Sequence, residues 1–287
     1  MLEVEVIKAG LHTTVQDSGR SGHRSSAIPM GGYLHRGYAE EAGLALGLPE
    51  GSAMLECLMT APTLLFREAT SVVVTGADFQ FMINDTPIKC GVVYQVDQGD
   101  VLAGGSAADG WIGYIGILGQ LVGSQDYGSM SSYGTAGLGY NNGLPLRRCH
   151  KLCYQSQDAS TTLASFSYSP TDTTDVVFMR SGPDDHLLSL AELSQLINTT
   201  FTVSPRSNRM GLRLEPVQAA VHHIKLQHSV PAYPGFVQLT PDGTLIVAAA
   251  DSHSTGGYPR IGYLADVQLM KLLALPLGSR VKCMLLE

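Results

Sequence analysis

The chain has 287 residues, 44% of them hydrophobic and 15% charged, with no low-complexity tract, a composition that supports a large buried core and excludes a disordered polymer. Its 18 basic and 25 acidic residues leave a formal charge of −7, and no lysine or arginine cluster follows a phosphate backbone, so no nucleic-acid partner is expected. Five cysteines, an odd number, speak against a disulfide framework and fit a reducing cytoplasm; no signal pattern at the N-terminus and no apolar run of membrane-spanning length points to export or a membrane.

Taken in chain order, the pattern predicts mostly strands. Val4 to Lys8 alternates as a strand and opens into a polar, glycine-rich stretch, Gly10 to Gly22, read as a loop. A helix is expected over Tyr38 to Leu46, then strands at Ser71 to Thr75, Phe79 to Asn84, Val92 to Val96 and Trp111 to Leu118. The glycine-rich stretch Gly137 to Gly143 has the wrong spacing for a dinucleotide fingerprint and reads as a loop between strands. From about Gln155 to Thr174 the chain is rich in Ser, Thr and Asp without periodicity, which marks a long connection. Length favours two domains, so the boundary is placed there, giving 1–160 and 175–287. The second half reads as a strand at Val176 to Arg180, a helix at Ser189 to Ile197, and strands at Phe236 to Leu239 and Leu245 to Ala250. Helical spacing from Tyr263 to Leu275 and a strand from Val281 to Leu286 complete it. With 32 glycines and 14 prolines and few short helices, the fold class is mainly β, a sandwich or barrel and not a doubly wound sheet. A glycine turn late in each half, Val96 to Val101 and Leu275 to Val281, hints at two related barrels.

Three polar segments are candidate sites. The apolar run Leu245 to Ala250 ends at Asp251 and gives way to Ser252-His253-Ser254-Thr255-Gly256-Gly257-Tyr258-Pro259-Arg260. Paired glycines there let N–H groups approach an anion, Thr255 and Arg260 add side-chain donors, and Asp251 supplies a carboxylate; a tight strand-to-helix connection explains the same residues equally. In the Gly10 to Gly22 stretch, Gln16, Asp17 and Arg20 have the chemistry to bind a ureido, lactam or carboxylate group, against the plainer reading of an ion-paired surface loop. Arg209 and Arg213, four apart, would share one side of a strand and meet one anion, or pair with the chain's excess acids. No metal site is expected, because His222 and His223 on a strand point to opposite faces and no ligand set completes them. The chain carries no Gly-x-Ser-x-Gly elbow and no Gly-x-x-x-x-Gly-Lys-Ser/Thr phosphate loop. Met270-Lys271 lies in a leucine-rich helical stretch, read as a core-facing Met beside a solvated Lys and not as a biotin attachment point.

The order of several motifs resembles one family. Thr14-Val15-Gln16-Asp17-Ser18-Gly19-Arg20, Pro29-Met30-Gly31-Gly32, Leu55-Glu56 and Gly76-Ala77 are similar to the first half of the biotin-dependent carboxyltransferase-like family. The second half matches through Arg209-Met210-Gly211-Leu212-Arg213-Leu214, Pro234-Gly235-Phe236-Val237-Gln238, Pro241-Asp242-Gly243, and Asp251 followed by Ser254-Thr255-Gly256-Gly257-Tyr258-Pro259. The family includes the C subunit of bacterial 5-oxoprolinase, the allophanate hydrolase subunit 2 proteins and the kinase-inhibitor antagonist of sporulating bacteria.

This resemblance implies paired cyclophilin-like β-barrels and a subunit of an ATP-dependent 5-oxoprolinase, an amide or lactam hydrolase. Catalysis by this chain alone is not expected; the resemblance implies a smaller, B-like companion subunit, an A-like ring-opening subunit, ATP with Mg as cosubstrate, and no biotin on this chain. It also implies site roles: Asp251, Asp17 and Gln16 as catalytic groups, and Arg20, Arg209, Arg213, Gln238, Thr255, Gly256, Gly257 and Tyr258 as binders of a lactam or ureido substrate and its anionic group. Two alternatives remain, a biotin-dependent carboxyltransferase component of the urea or allophanate type and a non-catalytic regulator of a sensor kinase inhibitor. Departures from the family pattern at His35, Ala42-Gly43, Gly47-Leu48, Gly110-Trp111, Ala136-Gly137, Arg148-Cys149 and Ala274 favour the last of these.

Overall fold

A computed structural model describes residues 1–156, 175–218 and 228–286. The described chain separates into two compact units, the first holding residues 1–20 and 31–156 and the second holding residues 21–30, 175–218 and 228–286. Most of the expected connection, 157–174, and His222-His223 lie outside the described residues.

The first unit contains β1 (Leu2–Lys8), β2 (His12–Gln16), α1 (Arg36–Leu46), β3 (Met54–Leu58), β4 (Thr63–Phe66), β5 (Thr70–Gly76) and β6 (Met82–Ile83). It continues through β7 (Thr86–Pro87), β8 (Tyr94–Val96), β9 (Val101–Ala103), β10 (Ile112–Ile117), β11 (Gln120–Val122) and β12 (Lys151–Gln155). These strands form a seven-stranded sheet in the order β11-β12-β1-β4-β9-β6-β7 and a five-stranded sheet in the order β2-β3-β10-β5-β8. Alternation along β1 buries Leu2, Val4 and Val6 in the same apolar cluster as Val15, Leu55, Val72, Val74 and Ile115 of the other sheet. Helix α1 packs on β5 and β10 through Ala39, Ala42, Ala45 and Leu46. It begins where His35 Nδ1 accepts from the Tyr38 N–H and stops at Gly47, whose φ of 64° no β-carbon residue adopts readily. The helix sits close over Gly116 on β10, where a β-carbon would lie 2.9 Å from Leu46 Cδ1.

Two expectations are corrected here. The stretch after β1 is not a loop throughout, because His12–Gln16 is strand β2, in register with β3 from His12 opposite Leu58 to Gln16 opposite Met54. Its polar residues are buried because each finds a partner: Thr13 Oγ1 donates to the Ala9 carbonyl at 2.6 Å and Gln16 Nε2 donates to Thr14 Oγ1 at 2.9 Å. The strand expected over Phe79 to Asn84 shrinks to Met82–Ile83, since Gln80 (φ 53°) and Asn84 (φ 47°) take left-handed conformations that interrupt pairing.

The second unit contains β13 (Val176–Ser181), α2 (Leu190–Asn198), β14 (Thr200–Val203), β15 (Gly211–Pro216), β16 (Val230–Pro231) and β17 (Phe236–Leu239). After these come β18 (Leu245–Ala248), β19 (Thr255–Gly256), β20 (Arg260–Tyr263), α3 (Asp266–Ala274) and β21 (Arg280–Leu285). Seven of the strands close a barrel in the order β13-β20-β17-β18-β15-β14-β21. The β13–β21 pair is parallel and closes the ring. Alternate residues are buried along each barrel strand, among them Val177, Met179, Phe201, Val203, Leu212, Leu214, Val237, Leu239, Leu245, Val247, Ile261, Val281 and Cys283. Helix α2 starts with a capping box in which Ser189 and Glu192 satisfy each other's backbone N–H.

The polar loop after β18 does not run directly into a helix as expected. It forms β19, paired with β16, and leads into β20 before α3 begins at Asp266. The two glycine turns also differ in what precedes them, since Gly99 joins β8 to β9 whereas Gly278 joins α3 to β21. Met270 is only partly buried, and the buried face of α3 is Leu272, Leu273 and Ala274. Among the described residues no helix is long and apolar enough to cross a membrane.

Gly76 ends β5 with φ 91°, and a β-carbon there would lie 2.6 Å from the Ile112 carbonyl oxygen. Gly76→Ala therefore combines left-handed strain with a backbone clash and is expected to lower stability by about 2 kcal/mol or more, read as a fall in the urea unfolding midpoint.

Candidate functional site

In the first unit, Gln16, Asp17 and Arg20 converge on one segment, Ser129 to Ser132. Asp17 Oδ1 accepts from Ser129 Oγ at 2.6 Å and from the Gly19 N–H at 2.8 Å, while Oδ2 accepts from the Met130 N–H at 2.6 Å. Gln16 donates from Nε2 to the Ser132 carbonyl at 3.2 Å and accepts at Oε1 from Ser131 Oγ. Arg20 Nη2 donates to the Ser131 carbonyl. Ser131 Oγ also accepts from the Gly32 N–H at 2.6 Å, which ties the Gly31-Gly32 turn to the same segment. A β-carbon on Gly31 would lie 2.8 Å from Ser131 Oγ, so only glycine lets the turn come this close. All three predicted residues of this loop are brought together, and each bonds to the backbone or serine hydroxyls of the Ser129 to Ser132 segment.

A second buried polar group was missed as a site feature by reasoning from residue types, although Leu55-Glu56 is among the family motifs. Glu56 on β3 is fully buried and its Oε2 accepts from Tyr114 OH at 2.6 Å and from the Leu34 N–H at 2.8 Å. Tyr114 OH in turn accepts from the His35 N–H at 2.9 Å, and the His35 ring stacks on Tyr38 with centroids 3.5 Å apart. The departure at His35 is thus accommodated as the cap of α1. A carboxylate on a strand otherwise composed of Met, Leu, Cys and Leu was the available signal, since such a charge needs internal partners.

Two clefts of the first unit share the turn Leu48 to Ser52 as a wall. One, about 270 Å³, is bordered by Asp17, Glu50, Gln120 and Gln125; the other, about 240 Å³, by Tyr33, Glu40, Glu50, Leu44 and Met54. Burial, with Asp17 adding to it, pushes the Tyr33 phenol above its ordinary value. No basic residue lines either cleft.

In the second unit, Arg209 and Asp251 form a buried bidentate pair: Nε to Oδ2 and Nη2 to Oδ1, both at 2.8 Å, with side chains 6% and 9% exposed. The Asp251 N–H also donates to the Arg209 carbonyl at 2.8 Å. Two expectations change as a result. Asp251 is not an open carboxylate at the end of β18, because both its oxygens meet Arg209. Arg209 and Arg213 do not share a strand face, because Arg209 lies in the turn before β15 while Arg213 is on the strand opposite Ile246. Arg260 is likewise taken: Nε donates to Asp184 Oδ2 at 2.8 Å, Nη2 to Oδ1 at 3.3 Å, and Nη1 to the Pro231 carbonyl at 2.9 Å.

Gln238 and Gly256 are brought together. Gly256 has an ordinary φ, and the Gln238 amide packs closely on it, since a β-carbon there would lie 2.4 Å from Gln238 Nε2 and displace that side chain. Thr255 is exposed, and Gly257 and Tyr258 are half-buried. Arg24, from the 21–30 segment, donates through Nη2 to the carbonyls of Ala232 and His253 and lies 4.6 Å from the Tyr233 ring centroid. Burial lowers its pKa from the ordinary value, opposed by Tyr233. Among the described residues no group of three or more His, Cys, Asp or Glu is placed to hold a metal ion, and all five cysteines are free thiols.

Residues 26–284 match the family described as carboxyltransferase domain, subdomain A and B. The C subunit of the Haemophilus influenzae 5-oxoprolinase is 28% identical over 291 residues, a match covering 97% of this chain and 90% of that protein. The protein of the same name from Escherichia coli is 27% identical over 288 residues, covering 97% and 89%. Among solved structures, the K. lactis urea amidolyase superposes with a TM-score of 0.86 at 24% identity, a match covering 99% of this chain and 19% of that one, and the two share the fold.

The hydrogen bond from Arg260 holds the Asp184 carboxyl below its ordinary value. A group so depressed contributes stability that is complete above the ordinary aspartate pKa of about 4 and is lost as pH falls through the lower folded value. Asp184→Asn is expected to cost about 2 kcal/mol at neutral pH and to flatten the fall of the urea midpoint below about pH 4; an unchanged acid limb would contradict the pairing.

Proposed function

Since the chain belongs to the carboxyltransferase domain, subdomain A and B, family, we propose that it is the C subunit of an ATP-dependent 5-oxoprolinase and works together with companion subunits. The observation that carries this reading is that relatives named as the C subunit of 5-oxoprolinase match 97% of this chain and about nine-tenths of their own length. In this reading the substrate is a lactam, and fixed donors stabilise charge that develops on its amide oxygen. The N–H groups of Gly256 and Gly257 supply those donors. Asp251, Asp17 and Gln16 serve as positioning groups, because their polar atoms already hold Arg209 and the Ser129 to Ser132 segment.

ATP use is part of the proposal and rests on the resemblance. The two clefts of the first unit do not fit a triphosphate, being bordered by Asp17, Glu40 and Glu50 with no basic residue.

The test is ATP hydrolysis stimulated by 5-oxoproline, measured with this chain alone and with its companions added. Stimulation in the complete mixture and none with the single chain is expected. Absence of stimulation while the companions are bound would overturn the reading, and a requirement for a biotinylated carrier would replace it with carboxyl transfer.

A further inference from the structure

Three buried polar atoms of the second unit lack a hydrogen-bond partner among the described residues: Arg24 Nη1, Gln238 Nε2 and Ser252 Oγ. All three belong to or touch one loop. Ser252 is part of it, Arg24 Nη2 reaches the carbonyl of His253, and Gln238 Nε2 lies against Gly256. Each carries a hydrogen to donate, and a buried donor left without an acceptor costs free energy that folding alone does not return.

The charge around this loop is also unbalanced. Arg209 has Asp251 and Arg260 has Asp184 as carboxylate partners, whereas Arg24 makes no ion pair among the described residues and meets only backbone carbonyls and the Tyr233 ring. A positive charge without a counter-charge, on a loop with two further unmet donors, matches an acceptor-only group; a cation or an apolar ligand would leave every one of these donors unmet.

We propose that the 252–256 loop, with Arg24, Ser252 and Gln238, is a binding site for an oxyanion, the carboxylate or phosphoryl group of a small-molecule ligand. The proposal relies on the function proposed above only for the identity of that ligand. It moves the anion-binding role from Arg209, which is occupied, to Arg24, which sequence reasoning passed over because a single arginine between His23 and Ser25 forms no motif. The three donor atoms are shielded from solvent, while His253 and Thr255 are exposed on the same loop.

The test uses the full chain titrated calorimetrically with 5-oxoproline and, separately, with inorganic phosphate, while amide hydrogen exchange of residues 252–256 is followed. At least one of the two is expected to saturate the protein and to slow exchange in the loop, with Arg24→Gln and Gln238→Leu each weakening binding at least tenfold. A response to 5-oxoproline alone assigns the carboxylate, and a response to phosphate alone assigns the phosphoryl group. Arg24→Lys, which keeps the charge, should retain more affinity than Arg24→Gln. Binding of neither probe, or binding unchanged in both weakening variants, overturns the proposal. Because binding is read directly on this chain, a failure of stimulated ATP hydrolysis in the reconstituted mixture leaves this result standing.

Discussion

Arg209 and Asp251 are both more than nine-tenths buried, and charges so placed persist only when each supplies what water has been prevented from supplying. Here the match is complete in kind: two parallel N–H···O contacts between side chains, and a backbone bond from the Asp251 N–H to the Arg209 carbonyl. The pair joins the turn that enters β15 to the turn that leaves β18, two strands that are neighbours in the barrel. The loop from Ser252 to Pro259 departs from that fixed point. Its far end is held in the same manner, by Arg260 on Asp184.

The first unit uses a carboxylate for a similar purpose with neutral donors. Asp17 gathers two backbone N–H groups and a serine hydroxyl, and Gln16 and Arg20 fasten the same segment from the end of β2. In both units, then, the charged residues that look most like chemistry are engaged in placing backbone. The buried donors without a partner in the second unit are less conspicuous: an amide on β17, a serine hydroxyl and an arginine outside any motif.

Much of the fold was legible in the sequence where one physical signal dominated. Strands with apolar alternation, such as β1, β5, β10, β13 and β21, and helices with clear ends, such as α1 stopping at Gly47 and α2 starting at Ser189, fall within a few residues of expectation. Strand β2 was hidden because its buried side chains are polar except for Val15, and nothing in the residue types reveals that Thr13, Thr14 and Gln16 find internal partners. The chain between β18 and α3 was misread because β19 and β20 are two and four residues long and glycine-rich. Of the candidate site, residue types and spacing gave the polar groups but not their pairing, and Gln16, Arg213 and Gln238 lie on strands. Sequence spacing of four suggested that Arg209 and Arg213 act together, whereas the real partner of Arg209 is 42 positions away.

The most direct test of this account is a double-mutant cycle on the buried pair, with Asp251→Ala, Arg209→Met and the double variant compared by urea unfolding. Each single substitution strands a buried charge and should cost about 3–5 kcal/mol. The double variant should lose far less than the sum, with a coupling energy of about 2 kcal/mol or more. Additive losses, or an Asp251→Ala protein as stable as the wild type, would contradict the claim that this pair holds the loop in place.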